Sequence, residues 1–158
     1  MLARVMFAIV DFAARKGLAE AHAEDSSQVS TKQRARRTGV RGETYAYWYL
    51  RRNGYVLVAR NYTLPGIKGE IDMVGDDGPV LAFVEVKTRV ATEHERPSPE
   101  EAVNSEKRRN LARMARQFLR ARRMEPTSCR FDVLAIEAGA GAHPEVRLHK
   151  GAFIPDLK

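Results

Sequence analysis

The chain has 158 residues, 44% of them hydrophobic, which suits one globular domain and excludes two full domains joined by a long linker. Its formal net charge of +7 favours a polyanionic partner, either nucleic acid or an acidic membrane surface. A single cysteine, Cys129, excludes an internal disulfide and a multi-cysteine zinc site, and no apolar stretch is long enough to span a bilayer. Because nothing in this composition requires an oxidising compartment, we expect a cytoplasmic protein.

The first segment, residues 1–37, is predicted to be a basic and disordered extension. It begins with a short apolar run, Val5–Val10, and then becomes polar and basic up to Arg37. Such a stretch buries too little apolar area to offset the entropy that it loses on ordering. A cleaved signal peptide is the less favoured interpretation of the apolar start.

The ordered domain is predicted to span residues 38–158 and to begin with a helix. This helix starts at Thr38 or Gly42 and continues to about Arg52, where Asn53-Gly54 supplies a left-handed stop. Three segments with strand composition follow, at 55–60, 70–74 and 80–88. The last two are joined by a tight turn with the sequence Asp76-Asp77-Gly78-Pro79.

A second helix is predicted between Pro99 and Arg123. Ser98–Glu101 has the spacing of a capping box, and a restart near Ser105 is the alternative beginning. Apolar residues recur at helical spacing and therefore form its buried face: Leu111, Met114, Ala115, Phe118 and Leu119. Strand patterns at 131–136 and 146–149 end the chain. The order of helix, three strands, helix and strands predicts an α/β layer with a hairpin in a mixed sheet.

Charged residues interrupt the two central strand patterns. Alternate side chains of a strand share a face, so Glu85 and Lys87 continue a face of 80–88 that begins with apolar residues. The hairpin turn brings Asp72 level with Glu85. Unpaired charges at the end of a central strand cost on the order of several kcal/mol each, so they need compensation. Either Glu85 and Lys87 pair at an exposed strand end, or the acids bind a hard divalent ion such as Mg²⁺ or Mn²⁺.

Two resemblances follow from these residues. Asp72 followed by Glu85-Val86-Lys87 resembles the signature of the PD-(D/E)XK nuclease superfamily, although Ile71 stands where that superfamily often has proline. Over about residues 38–155, the chain is also similar to the YraN-like family of uncharacterised bacterial proteins. The motifs that carry this second resemblance are Gly42-Glu43, Gly54-Tyr55, Arg60-Asn61, Gly69-Glu70-Ile71-Asp72 and Phe83–Arg89.

The resemblance implies a restriction-endonuclease-like α/β fold, a three-layer core in which helices flank a central mixed β-sheet. It makes Asp72 and Glu85 ligands of Mg²⁺ or Mn²⁺, with the Val86 carbonyl as a candidate third ligand. It makes Lys87 the catalytic lysine. Glu43 on the first helix matches an additional acid of related nucleases, and its alternative role is to favour the positive end of its own helix.

The second helix also carries basic residues opposite its apolar face. Three of them lie in one turn at 107–109, and Arg113, Arg116 and Arg120 continue at spacings of three and four, which predicts a stripe that contacts phosphates. A solvated helix face is the alternative. The candidate residues for nucleic-acid binding are Lys107, Arg108, Arg109, Arg113 and Arg116.

These features predict a metal-dependent nuclease that hydrolyses phosphodiester bonds in DNA, with RNA as the less favoured substrate and with branched or single-stranded DNA among the candidate forms. A non-catalytic nucleic-acid-binding protein that retains the nuclease fold is the alternative. A membrane-associated or scaffolding protein that uses its first residues as an anchor is a third hypothesis. Asp132 is predicted to have a structural role, for example by pairing with Arg130. Both a monomer and a homodimer remain open.

Overall fold

The structure, a computed structural model, describes residues 1–23, 31–90, 104–125, 129–138 and 143–153. Within these ranges it contains three helices and five strands. In chain order they are α1 (Leu2–Ala23), α2 (Thr31–Arg52), β1 (Val56–Tyr62), β2 (Ile71–Asp77), β3 (Val80–Val90), α3 (Ser105–Arg122), β4 (Cys129–Ala138) and β5 (Glu145–Phe153). No helix within these ranges is both long enough and apolar enough to cross a membrane.

The strands form one mixed sheet in the order β1-β2-β3-β4-β5. β3 and β4 are parallel, with α3 between them in the chain, as parallel neighbours require a long connection. All other neighbours are antiparallel. The β2–β3 hairpin pairs Met73 with Val84 and Val74 with Phe83. The predicted mixed sheet with a central hairpin is therefore confirmed.

Helices cover both faces of this sheet. On one face, Phe83 of β3 and Phe131 of β4 pack with Leu111 and other apolar residues of α3. On the other face, Val84 of β3 packs with a cluster that includes Leu50 of α2. β3 is buried on both sides because it lies at the centre of the sheet. This three-layer α/β arrangement is the one expected for a restriction-endonuclease-like core.

The N-terminal segment differs from the disordered extension that we expected. α1 packs against α2, and its Phe7 is buried with its ring edge-on to Tyr45 and Tyr49, at centroid distances of 5.2 and 6.0 Å. The Tyr45 hydroxyl also donates a hydrogen bond of 2.9 Å to the carboxylate of Asp11. Within the short apolar run of α1, Phe7 is the buried residue, and aromatic residues of α2 supply the surface against which it packs.

α2 begins before its predicted start, and α3 begins at the second of its two predicted starts. α2 begins at Thr31 rather than at Thr38 or Gly42. α3 begins at Ser105, where the side chain of Asn104 caps the helix by accepting a 2.8 Å hydrogen bond from the Lys107 N–H. The alternative start is therefore the one observed, and the predicted capping box at Ser98–Glu101 lies outside the described residues.

Gly42 allows α2 to approach β3 closely. A Cβ at this position would lie 1.8 Å from the Thr88 hydroxyl oxygen and 2.8 Å from its Cβ. Gly42→Ala should therefore lower the free energy of unfolding by about 1–3 kcal/mol, the usual cost of an overpacked interior. Gly39→Ala is the matched control, because a Cβ there meets nothing within 4 Å. Urea denaturation of both variants tests this, and equal stability of the two would contradict it.

Candidate active site

The β2–β3 hairpin places Asp72 and Glu85 next to each other, at the end of the hairpin that is remote from its turn. Both carboxylates are buried, with Asp72 8% and Glu85 3% exposed. An oxygen of Asp72 accepts a 2.6 Å hydrogen bond from the N–H of Val86, the residue that follows Glu85 on the neighbouring strand. The predicted proximity of the two acids is confirmed, and their role as metal ligands stays a prediction.

The charge of Glu85 destabilises the charged form of Asp72. Burial raises the pKa of Asp72 above its ordinary value, and the negative charge of Glu85 raises it further. The hydrogen bond from Val86 acts in the opposite direction but does not offset these effects. A cation between the carboxylates would remove this repulsion.

Two lysines bind one oxygen of Glu85. The ammonium of Lys87 lies 2.8 Å from Glu85 Oε1, and the ammonium of Lys107 donates a hydrogen bond to the same atom. Burial acts to lower the pKa of Lys107, but the charges of Glu85 and Asp72 outweigh it and raise that pKa. Lys107 is therefore held as a cation at the acid cluster.

Lys107 is the site residue that our sequence interpretation placed elsewhere. We assigned it to the phosphate-contacting stripe of α3, whereas the structure directs it to Glu85. A signal for this position was present in the sequence. Lys107 precedes Leu111 by four residues and therefore continues the line of buried residues on α3, so it faces the sheet.

The other oxygen of Glu85 has the features of a metal ligand. Glu85 Oε2 is buried, and none of the residues that the structure describes donates a hydrogen bond to it. An unpaired buried carboxylate oxygen beside a second carboxylate suits Mg²⁺ or Mn²⁺, which prefer oxygen ligands. Within the described ranges, no third Asp, Glu, His or Cys completes a set of protein ligands with Asp72 and Glu85. Water and phosphate oxygens would have to supply the remaining positions, as is usual for Mg²⁺.

Glu43 borders this acid cluster. Its carboxylate accepts a 3.1 Å hydrogen bond from the side-chain amide of Asn61. Arg60 of β1 pairs with Met73 of β2, and Tyr62 pairs with Ile71. Asn61, which lies between them on β1, is therefore opposite Asp72 of β2. Glu43 is close enough for its negative charge to contribute to the raised pKa of Asp72. The structure thus brings Glu43 to the edge of the site through Asn61, which was not among the predicted site residues.

Asn61 adopts an uncommon backbone conformation that fits this role. Its φ is 48°, in the left-handed region that asparagine tolerates better than most other residues. Because Tyr62 continues the pairing with β2 immediately afterwards, the unusual conformation is confined to the position next to the acids. Local strain of this kind is common where a side chain must be held in a functional position.

The basic residues predicted on α3 do not all lie on its solvent face. Arg108 is half-buried, and its guanidinium lies 5.2 Å from the ring centroid of Phe153 on β5. Arg109 and Arg113 are exposed, and Arg116 is half-exposed. With Lys107 bound to Glu85, the candidate nucleic-acid-binding residues that face solvent are Arg109, Arg113 and Arg116.

A hollow of about 220 Å³ lies beside Lys107. It is lined by Glu70, which ends the loop before β2, and by the first turn of α3, including Asn104 and Glu106. Lys68 lines the same hollow. The wall of this hollow therefore carries both positive and negative side chains.

Asp132 lies apart from this site and has the structural partner that we predicted. Its carboxylate is completely buried and accepts hydrogen bonds from Arg130 Nε at 2.9 Å, the Gly151 N–H at 2.9 Å and the Tyr55 hydroxyl at 3.2 Å. Burial raises the pKa of Tyr55, so this hydroxyl remains protonated and can donate. The carboxylate therefore joins β4 to β5 and to the residue that precedes β1.

Comparison with known proteins identifies the relatives of this chain. The model of the uncharacterised protein family UPF0102 matches residues 42–136. A UPF0102 protein from Koribacter versatilis is 42% identical over 118 residues, which cover 75% of this chain and 80% of the relative. A UPF0102 protein from Symbiobacterium thermophilum is 43% identical over 119 residues, which cover 75% of this chain and 98% of the relative.

The matched region contains the site, whereas α1 lies outside it. The site residues within the match are Glu43, Asn61, Asp72, Glu85, Lys87 and Lys107.

Proposed function

Since the chain belongs to the uncharacterised protein family UPF0102, we propose that its acid cluster is the active site of a divalent-metal-dependent nuclease in that family. The YraN-like family is the same family, so the predicted family membership is confirmed. The observation that carries the proposal is the buried and unpaired oxygen Oε2 of Glu85 beside the carboxylate of Asp72.

Asp72 and Glu85 would hold Mg²⁺ or Mn²⁺, with the Val86 carbonyl as the proposed third protein ligand. When bound, such an ion polarises a phosphate and lowers the pKa of a coordinated water. The two oxygens of Glu85 bind different partners in this arrangement. Oε1 holds the two lysines and Oε2 is left for the cation, so metal binding does not require the lysines to leave.

The lysines act on the substrate side of this site. Lys87 is 27% exposed, so its ammonium can donate to the attacking water or to a phosphate oxygen while it stays close to Glu85. A fixed positive charge there stabilises the negative charge that develops on the phosphate as the bond breaks. Lys107 lines the open hollow and adds a second positive charge beside Glu85.

The basic surface of α3 would hold the nucleic acid. Arg109, Arg113 and Arg116 face solvent on the helix whose first turn carries Lys107. Such contacts bind the phosphate backbone without reading sequence, so affinity should fall steeply with salt. We propose DNA as the substrate and the cytoplasm as the location, where the enzyme has access to it.

The alternative is a non-catalytic nucleic-acid-binding protein that retains this fold. One observation favours it, because Lys87 and Lys107 already neutralise part of the Glu85 charge without a metal ion. A site kept only as a structural remnant should bind divalent ions poorly.

Cleavage assays with the full chain separate the two functions. Labelled duplex, single-stranded and branched DNA are incubated with Mg²⁺, with Mn²⁺ or with EDTA. The nuclease proposal predicts cleavage of at least one substrate with either metal and none in EDTA. Salt-sensitive binding without cleavage of any substrate would contradict it and favour the non-catalytic alternative.

A further inference from the structure

A second cluster of side chains lies on the surface beside the acid cluster. It consists of Tyr47, Trp48 and Arg51 of α2 with Arg60 of β1, and we call it the aromatic-basic patch. The Arg51 guanidinium lies 5.6 Å from the ring centroid of Tyr47 and 5.7 Å from that of Trp48. Arg60 lies 4.8 Å from the ring centroid of Tyr47. The two rings meet edge-on, with centroids 5.0 Å apart.

The patch is accessible to a ligand. Tyr47 and Trp48 are half-buried and pack partly against the core, whereas Arg51 and Arg60, whose guanidinium groups lie over the rings, are exposed. A simpler explanation for Arg51 is that an arginine four residues after a tyrosine stabilises the helix through contact with the ring. That explanation does not account for Arg60, because it comes from a strand and approaches the same ring.

The patch adjoins the acid cluster on both elements that form it. Glu43 precedes Tyr47 by one turn of α2, a rise of about 6 Å along the helix axis. Arg60 immediately precedes Asn61, which donates to Glu43 and lies opposite Asp72. A nucleic-acid strand that enters the acid cluster from this side therefore passes the rings and the two guanidinium groups.

The chemistry of the patch favours unpaired bases. Aromatic rings interleaved with arginines bind single strands because each ring can stack on a base while the guanidinium groups contact phosphates. A duplex cannot use the rings in this way, since its base faces are already stacked. Contact with phosphates alone would require no aromatic residues.

We propose that the aromatic-basic patch stacks unpaired DNA bases next to the acid cluster, so that the substrate is a single strand or a junction with an unpaired strand. This inference rests on the proposed nuclease function for its substrate, but the binding itself can be measured without cleavage.

Trp48 allows a direct test because it is the only tryptophan in the chain. Its fluorescence therefore reports on the patch alone. The full chain is titrated in EDTA with a short oligothymidylate and, separately, with a blunt duplex of the same length. We expect saturable quenching by the oligothymidylate and little change with the duplex. No quenching by the oligothymidylate, or equal quenching by both, would overturn the inference. A protein would then be the partner that fits the tyrosine, tryptophan and arginine residues of the patch.

Variants separate stacking from helix stability. Trp48→Leu should weaken binding of labelled oligothymidylate about tenfold to a hundredfold, the range for the loss of one stacked base, and should change duplex affinity less than about twofold. Tyr47→Leu should also weaken binding, whereas Tyr47→Phe keeps the ring and should bind like the unaltered chain. Arg60→Gln replaces an exposed residue, so it tests the patch without disturbing the core. Equal binding by Tyr47→Leu and Tyr47→Phe would contradict stacking on this ring.

The same measurements distinguish this inference from the nuclease proposal. A Glu85→Gln variant that has lost cleavage should still show quenching of Trp48 by oligothymidylate. Metal-dependent cleavage of duplex DNA without such quenching would overturn the inference and leave the nuclease function standing. Quenching without cleavage of any substrate would overturn the nuclease function and support the patch as a surface for unpaired bases.

Discussion

Replacing Glu85 with glutamine should lower metal-dependent cleavage by about a thousandfold or more, which corresponds to about 4 kcal/mol of transition-state stabilisation. The substitution keeps the size of the side chain but removes the negative charge that holds the two lysines and that we propose holds the cation. A neutral amide is a poor ligand for Mg²⁺ and Mn²⁺ in comparison with a carboxylate. Initial cleavage rates with saturating metal measure the effect.

The same substitution should leave the fold intact. Lys87 and Lys107 are partly exposed, so water can solvate them once the carboxylate is gone. Removal of the Glu85 charge also relieves the repulsion that raises the pKa of Asp72. Thermal unfolding followed by circular dichroism checks that the variant is folded.

Asp76→Asn is the matched control for Glu85→Gln. Asp76 lies on the same hairpin but pairs with Leu81, away from the acid cluster. Asp76 also carries a carboxylate, and Asp76→Asn should retain the cleavage rate of the unaltered chain. An equal loss of activity in Asp76→Asn and Glu85→Gln would contradict a specific role for Glu85, as would full activity in Glu85→Gln.

Replacing Asp132 with alanine should produce the largest loss of stability, about 3–5 kcal/mol of the free energy of unfolding. Its carboxylate is completely buried and joins Arg130, Tyr55 and Gly151 through hydrogen bonds. Truncation removes the acceptor that these donors share and leaves the Arg130 guanidinium without its buried partner, so that Asp77 is its remaining carboxylate partner. Urea denaturation at neutral pH measures the change.

Asp77→Ala serves as the comparison, because Asp77 binds the same arginine from a more exposed position. Its carboxylate lies 2.5 Å from Arg130 and 2.6 Å from Lys150, and its side chain is 22% exposed. Its removal should cost about 1 kcal/mol or less, as is usual for solvent-screened ion pairs. If Asp132→Ala is no more destabilising than Asp77→Ala, the buried network does not hold the strands together as we infer.

The geometry of the acid pair was predictable from the sequence because strands impose strict rules. Side chains alternate across a strand, and a tight turn at Gly78 sets the register of the hairpin. Together these rules bring Asp72 to Glu85 without any knowledge of the rest of the fold. The apolar character of both faces of β3 likewise indicated its central place in the sheet.

The position of Lys107 was harder to predict because it depends on where a helix begins and how it turns toward the sheet. The Asn104 cap sets the start of α3, and only then does Lys107 fall in line with Leu111 and the other buried residues. α1 was missed for a related reason. Its Phe7 packs against aromatic residues of α2, and the contact between Asp11 and Tyr45 joins residues 34 positions apart. Local composition does not contain that information.

Binding of Mn²⁺ to the full chain is the most direct test of the claim that Asp72 and Glu85 form a metal site. Electron paramagnetic resonance of free Mn²⁺ during a titration counts the ions bound per chain. We predict one saturable site that is weakened at least about tenfold in Asp72→Asn and in Glu85→Gln, with both variants folded. The absence of saturable binding in the unaltered chain, or unchanged binding in both variants, would contradict the metal site and the nuclease function built on it.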